Sequence, residues 1–309
     1  MITCKARVVV AAWAIAGLLA KPAYAAELRS DTVAAFDRYI RASEARMARD
    51  LSEDRFLVLD HLPNGPRQEL YAQLRQGRIY IEQVHTKEDG KSIQVPGGLI
   101  HHWVGVMFIH DATVAQTLEV LQDYDNHRNT YKPDVRNSKL LERNGGEFKV
   151  YLQLYRKSLV TVVVNANLDI QYTLLDASRA MSKSHSTRIA EVENVGKSDE
   201  HELPVGNDHG YIWRLSSYWR IEEKDGGVYV QVESVGLSRS IPWVFAWLVN
   251  PLTRSIPREV LSRLLNATRV AVTTTPGCSA GFLIPGHLPG SDDWARAASP
   301  FRVSSYLRR

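Results

Sequence analysis

The chain has 309 residues, 38 Lys and Arg against 34 Asp and Glu, a formal charge of +4 and only two cysteines. So even a balance, with the signs interspersed, lacks the cationic footprint of a nucleic-acid binder, and that class is set aside. Two cysteines, one of them at position 4, give no internal disulfide framework, so stability must come from a packed core, for which the length is ample.

Lys5 and Arg7 precede an apolar run from Val8 to Ala20, and Ala23-Tyr24-Ala25 offers the small-x-small pattern a signal peptidase accepts. That run is 13 residues long, short of the roughly 20 needed to cross a bilayer as a helix. The expectation is a cleaved signal peptide over residues 1–25 and a periplasmic or secreted mature chain beginning at Ala26 or Glu27. Cleavage removes Lys5, Arg7 and Lys21 and no acid, which lowers the charge from +4 to +1. Cys4 follows no lipobox, and only Cys278 remains after processing.

An N-terminal extension is expected over residues 26–98. Residues 31–52 read as an amphipathic helix capped by Ser30 or Asp31, with Val33, Phe36, Ile40, Met47 and Leu51 near one stripe. Its charges, Asp37, Arg38, Arg41, Glu44, Arg46, Arg49 and Asp50, read as a solvated face. A short apolar piece (Phe56 to Leu59), a helix (Arg67 to Gln76) stopped by Gly77, and a strand (Arg78 to His85) follow.

From Leu99 the pattern changes. Leu99 to His110 is strand-like, Thr113 to Leu121 helical, and from Val135 strands alternate with turns. Asn144-Gly145-Gly146 and Asp225-Gly226-Gly227 are the clearest hairpin turns, because Asn-Gly and Asp-Gly accept positive φ. Between them strands are expected at Glu147–Tyr155, Leu159–Asn167, Leu168–Leu175 and Arg179–Val192. The polar stretch Glu193–His209 is long enough to be a lid or a disordered insertion.

A two-residue turn at Asp225-Gly226 pairs Trp219 with Val232 and Ile221 with Val230, and Tyr218 with Glu233 and Arg220 with Gln231. One face then carries Trp213, Leu215, Trp219, Ile221, Val230 and Val232; the other carries Arg214, Tyr218, Arg220, Glu222, Gln231 and Glu233. The charged face is expected to be solvated or ion-paired, although with the sheet turned the other way those charges would meet a polar head group. The apolar face needs a cover. A helix starting near Pro257, capped by Ser255, supplies one with its stripe of Leu261, Leu264, Leu265, Thr268, Ala271 and Val272. Residues 276–309, rich in Gly, Pro and Ser, are expected to be a loose tail.

This order of elements resembles the helix-grip fold of the START-like (SRPBCC, polyketide-cyclase-like) superfamily. The resemblance is carried by Val120-Leu121-Gln122-Asp123-Tyr124-Asp125, by Val135-Arg136-Asn137-Ser138-Lys139, and by Leu237-Ser238-Arg239-Ser240-Ile241-Pro242 running into Ile256-Pro257-Arg258-Glu259. It covers about residues 99–275. It implies an α+β fold in which a curved antiparallel sheet grips a long C-terminal helix, with a cavity between them for a lipid, sterol, polyketide or other apolar molecule. It implies no single activity, since such folds serve transfer proteins, cyclases and sensors.

Trp213, Leu215, Trp219, Val230 and Val232 of the sheet and Leu261, Leu264 and Thr268 of the helix are the residues expected to line that cavity. The tryptophans would otherwise fill a solid core. Trp243, Phe245 and Trp247 lie in the most apolar stretch of the mature chain and suit a membrane-touching or gating element, or else a buried turn under the N-terminal extension. No metal site is expected: His101 and His102 point to opposite faces of a strand, His201-Glu202-Leu203-Pro204-Val205 lacks a second histidine, and Arg128 stands where a calcium loop from Asp123 needs glycine. No nucleophile elbow, CxxC or phosphate loop is present, and no cofactor is implied.

The expected function is therefore an exported, noncatalytic binding or carrier protein for an apolar, lipid-like molecule, with transient membrane contact. One rival is a cyclase- or hydrolase-type enzyme using a tyrosine, histidine or arginine in the same cavity. Another is an envelope interaction protein with a collapsed cavity and a docking helix from Asp31. Ligand identity and oligomeric state are not legible in the sequence.

Overall fold

The computed structural model describes residues 26–157, 161–240 and 243–275, the side chains of 26 and 243–256 excepted. The expected signal peptide and C-terminal tail lie outside the described residues. Two helices open the chain, α1 (Ser30–Ser52) and α2 (Asn64–Arg75). Strands β1 (Tyr80–Gln83) and β2 (Gly98–His110) follow, then helix α3 (Val114–Gln122). Six long strands complete the sheet: β3 (Val135–Asn144), β4 (Glu147–Lys157), β5 (Thr161–Leu174), β6 (Arg179–Glu193), β7 (Arg214–Lys224) and β8 (Gly227–Arg239). Helix α4 (Trp243–Thr274) closes the structure.

Every neighbouring pair of strands is antiparallel, in the order β1-β2-β8-β7-β6-β5-β4-β3. The β7–β8 register is the expected one, with Trp219 opposite Val232 and Arg220 opposite Gln231. Turn chemistry explains the accuracy: Asp225 and Gly226 both adopt positive φ, 57° and 75°, as a two-residue hairpin turn requires. Thr113 caps α3, accepting from the Gln116 amide at 3.2 Å while Gln116 Oε1 accepts from the Thr113 amide at 2.9 Å.

Two sequence expectations need correction. The expected strands Leu159–Asn167 and Leu168–Leu175 are one strand, β5, because no turn residue interrupts the alternation that sends Val164, Ala166, Leu168, Ile170 and Tyr172 to the same core. The pairing with β6 is irregular at that point, the register shifting between Asn167 and Leu168. The closing helix starts at Trp243 and not near Pro257, because the apolar stretch from Trp243 is itself helical and runs on through that proline. Proline inside a helix forfeits one backbone hydrogen bond without necessarily ending it.

α4 lies closest to β2. Gly105 permits this, since a Cβ there would come within 2.8 Å of Leu265 Cδ1. Leu261, Leu265 and Val272 of the helix join Met107, Val164, Ile189, Ile221, Val230 and Val232 in the main core between helix and sheet.

The opposite, convex face of the sheet, expected to be a solvated or ion-paired exterior, is ion-paired but buried. Arg220, Gln231 and Glu233 are 5%, 2% and 2% exposed, because α1 and the segment after it lie over them. Each charge is answered by a partner from the N-terminal extension. His102 Nε2 meets Glu233 at 2.6 Å, and Arg46 pairs with the same carboxylate. Tyr39 O–H lies 2.9 Å from His102 Nδ1 and accepts from the Thr86 amide at 3.0 Å. Arg220 donates to the carbonyls of Phe56 and Met47 at 2.7 and 3.2 Å, and Gln231 accepts from the Val58 amide at 2.7 Å. Asp50, expected on a solvated helix face, is buried between Arg46 and His61.

Burial alone would raise the Glu233 carboxyl, yet His102, Arg46 and Arg220 hold it below the ordinary value. Burial likewise keeps His102 below its usual range, so a neutral imidazole donates to an ionised carboxylate. Around this network Phe36, Tyr39, Met47, Trp213, Tyr218, Val235 and Leu237 form a second core, and Phe56, Leu59, Tyr71, Leu74, Phe108 and Tyr229 a third. Arg214 is half-buried beside Asp37, and Glu222 pairs with Lys224 at 2.5 Å.

Candidate functional site: the concave face and its open end

Strand register assigns the concave face residue by residue. At one end Phe148, Ile170, Tyr172, Ile221, Val228, Val230, Met107 and Ile109 are all buried, with Val114, Leu118 and Leu121 of α3 in the same core. Tyr124 and Tyr172 hydroxyls meet at 2.7 Å, Tyr172 donates to the Leu121 carbonyl at 3.2 Å, and Tyr131 O–H lies 3.2 Å from Thr268 Oγ1. Burial raises all three tyrosines, Tyr131 to about 12. The His127 ring packs against Tyr124 and Tyr131, and burial pushes it down to about 4 against the opposing pull of the Val120 and Leu121 carbonyls. This end is closed.

The middle and the far end differ. Leu152, Leu154, Val162, Leu215, Trp219 and Leu264 pack against the same core, yet each keeps part of its surface accessible. Small residues sit among them: Ser184, Ser217 and Ser234 follow one cross-strand row, with Ser184 and Ser217 hydroxyls 2.7 Å apart. Of the six apolar residues, Val162 also lines the groove at that end.

At that end an open groove of about 920 Å³ lies between the start of β3 and the end of β6. Val135, Tyr155, Val162 and Val163 supply its apolar surface, and the chain from Asn194 to Lys197 with His209 and Tyr211 forms the facing wall. The stretch expected to be a lid or a disordered insertion is thus partly a groove wall, tied to β6 through His201 and Glu202. Glu191 is 3% exposed on this wall. It accepts from His209 Nδ1 at 2.8 Å and from the His209 and Tyr211 amides at 3.0 and 2.7 Å. Burial still raises its carboxyl above the ordinary value, those donors opposing it in part. His209 Nε2 lies 3.6 Å from Glu193.

Of the residues expected to line a cavity, Leu215, Trp219, Val230, Val232, Leu261 and Leu264 do meet in one cluster between sheet and helix. Thr268 is buried on the same helix, its hydroxyl bonded to the Leu264 carbonyl at 2.9 Å. Trp213 requires a correction. It precedes β7, its indole N–H donates to Asp208 at 2.9 Å, and it packs with Phe36 and Leu237 under the N-terminal extension. Trp243, Phe245 and Trp247 lie outside the residues whose side chains are described.

Sequence reasoning missed the Tyr124, Tyr131, Tyr172 and His127 cluster and the Glu191–His209 pair. The even-numbered alternation of β5 signalled Tyr172; nothing in the spacing signalled the groove, which five separated segments build. Among the described residues no group of three or more His, Cys, Asp or Glu is placed to hold a metal ion, and no helix is long and apolar enough to cross a membrane.

A curved antiparallel sheet closed by one long C-terminal helix is a helix-grip fold, here with N-terminal helices added on its convex face. No protein-family model matches the chain, and no curated protein matches its sequence. Among solved structures it is similar to a STAR-related lipid transfer protein from Xanthomonas axonopodis, at 18% identity over 62% of this chain and 99% of that one, TM-score 0.39. It is also similar to human STARD10 (10% identity, 70% and 82% covered, TM-score 0.39) and to the Zhui aromatase/cyclase from Streptomyces (15%, 57% and 94%, TM-score 0.36). The fold assignment rests on this chain's own strand order and helix; the likeness assigns it no activity and no ligand.

Proposed function

We propose that this protein binds an apolar, lipid-like molecule between the concave face and α4, and that it is an exported carrier. One observation carries the reading: Leu152, Leu154, Val162, Leu215, Trp219 and Leu264 stay partly accessible beneath the helix, and Val162 joins them to the groove. Covering such surface contributes about 25 cal/mol per Å² before ordering costs. The pattern of residues 1–25 supports export. A neutral environment-sensitive dye, N-phenylnaphthylamine, should bind saturably at one per chain and be displaced by long-chain amphiphiles. Absence of saturable binding by the folded protein would end the reading. Intact mass of protein recovered from a periplasmic fraction tests export, with a start at Ala26 or Glu27 expected.

A second reading, an enzyme of hydrolytic type, is favoured by the groove's Glu191–His209 pair, in which a buried carboxylate fixes the Nδ1 side of an imidazole and leaves Nε2 toward the groove wall. Turnover of a medium-chain p-nitrophenyl ester that disappears in His209→Gln, with dye binding intact, would move the assignment from carrier to enzyme.

A further inference from the structure

Four groove residues, Arg128, Lys132, Arg136 and Lys197, are cationic and exposed. None of them has a carboxylate within ion-pair distance among the described residues. The neighbouring cations are different: Arg263 donates to both oxygens of Asp134 at 2.6 and 2.8 Å, and Arg156 reaches Glu259 at 2.7 Å. Asp134, the acid nearest in sequence to Lys132 and Arg136, is therefore already engaged. The two carboxylates of the groove are engaged as well, Glu191 by His209 and two backbone amides, Glu193 by His209 and His201. Arg136 is held over the Tyr155 ring at 5.5 Å, which orients its guanidinium without neutralising it.

The result is a groove that shares Val162 with the apolar residues between sheet and helix and has uncompensated positive charge on its wall, with Arg128, Lys132 and Arg136 close together in the chain and Lys197 on the loop after β6. From this juxtaposition we infer that the ligand is an anionic amphiphile, its carboxylate or phosphate held by Arg128, Lys132 and Arg136 and its tail laid along the concave face. This rests on the binding function proposed above and adds the chemistry of the head. A carboxylate would identify a free fatty acid, a phosphate a phospholipid or its lyso form. A guanidinium recognises either through paired N–H donors, and a neutral head would leave those cations unanswered.

The test uses the full mature chain and three probes with one tail and different heads: palmitate, hexadecyl phosphate and hexadecanol, each titrated against bound N-phenylnaphthylamine. At least one anion is expected to bind about tenfold tighter than the alcohol, a difference worth about 1.4 kcal/mol. That preference should shrink in 0.5 M NaCl through screening, and it should fall to near unity in the triple variant Arg128→Gln, Lys132→Gln, Arg136→Gln. These side chains are exposed, so an unchanged melting curve is expected to show that the variant folds. Whichever anion loses more affinity in the variant names the head. Hexadecanol binding as tightly as both anions, or a preference that survives the triple variant, overturns the head-group inference and leaves the binding function standing. Failure of all three probes to displace the dye overturns both.

Discussion

On its convex face the sheet meets α1 through Glu233, His102, Arg46, Arg220 and Tyr39, every one of them buried or half-buried and answered by a partner. On its concave face it meets α4 through aliphatic and aromatic side chains, several of which the helix leaves partly uncovered. The same strands serve both, since alternate residues point opposite ways. What differs is the fit of the cover. α1 brings polar groups that complete a network and so has one well-defined seat. Onto the concave face the described part of α4 turns Leu, Val, Ala and Thr; its ion pairs, Arg263 with Asp134 and Glu259 with Arg156, lie at the groove end, and Gly105 draws the helix toward β2. A polar face specifies its cover, whereas an apolar face can accept a guest.

The sharpest way to break this contrast is to unbalance the convex network. Glu233→Ala leaves Arg46 and Arg220 without their shared anion, and a loss of about 3–5 kcal/mol is expected in urea unfolding. A loss below about 1 kcal/mol would mean that the network does not hold α1 in place.

Acid comes next. The folded His127 value, about 4, lies below the ordinary 6.5. The unfolded chain therefore takes up this proton first, and the stabilisation present above pH 6.5 is lost as pH falls toward 4, by about 3 kcal/mol for a shift of this size. Glu233 acts in the same direction at lower pH, its depressed carboxyl giving stability that is present above the ordinary 4.5 and is lost below it. Urea midpoints measured between pH 7 and 4 should decline, and less steeply in His127→Gln. Equal slopes would contradict the assignment to His127.

Smaller effects separate the tight side of the concave face from the loose one. Gly105→Val drives a side chain into Leu265 and should cost about 1–3 kcal/mol. Ser234→Leu adds similar volume to the open region, so it should cost less than about 1 kcal/mol while abolishing dye binding. If Ser234→Leu costs as much as Gly105→Val, the space beside Leu215 and Trp219 is already filled.

The contrast between the faces was only half legible in the sequence. The register that places Trp219 opposite Val232 could be read because Asp225 and Gly226 fix the turn, and parity then sorts every side chain of β7 and β8. Parity cannot say what covers a face. Glu233 and Arg46 lie 187 residues apart, so nothing local announced that a row of charges would be buried. Trp213 was misplaced for a related reason: parity holds only inside a strand, and the bond to Asp208 takes its indole to the other side of the sheet. The groove was invisible because its lining comes from five segments, each an ordinary loop or strand end by itself.

The central claim, that a guest occupies the space under α4, is tested most directly by native mass spectrometry of the protein purified from its own host without delipidation, followed by organic extraction. One apolar molecule bound per chain, released on denaturation, is the predicted result. Repeated recovery of the bare polypeptide mass, with nothing extracted, would contradict it.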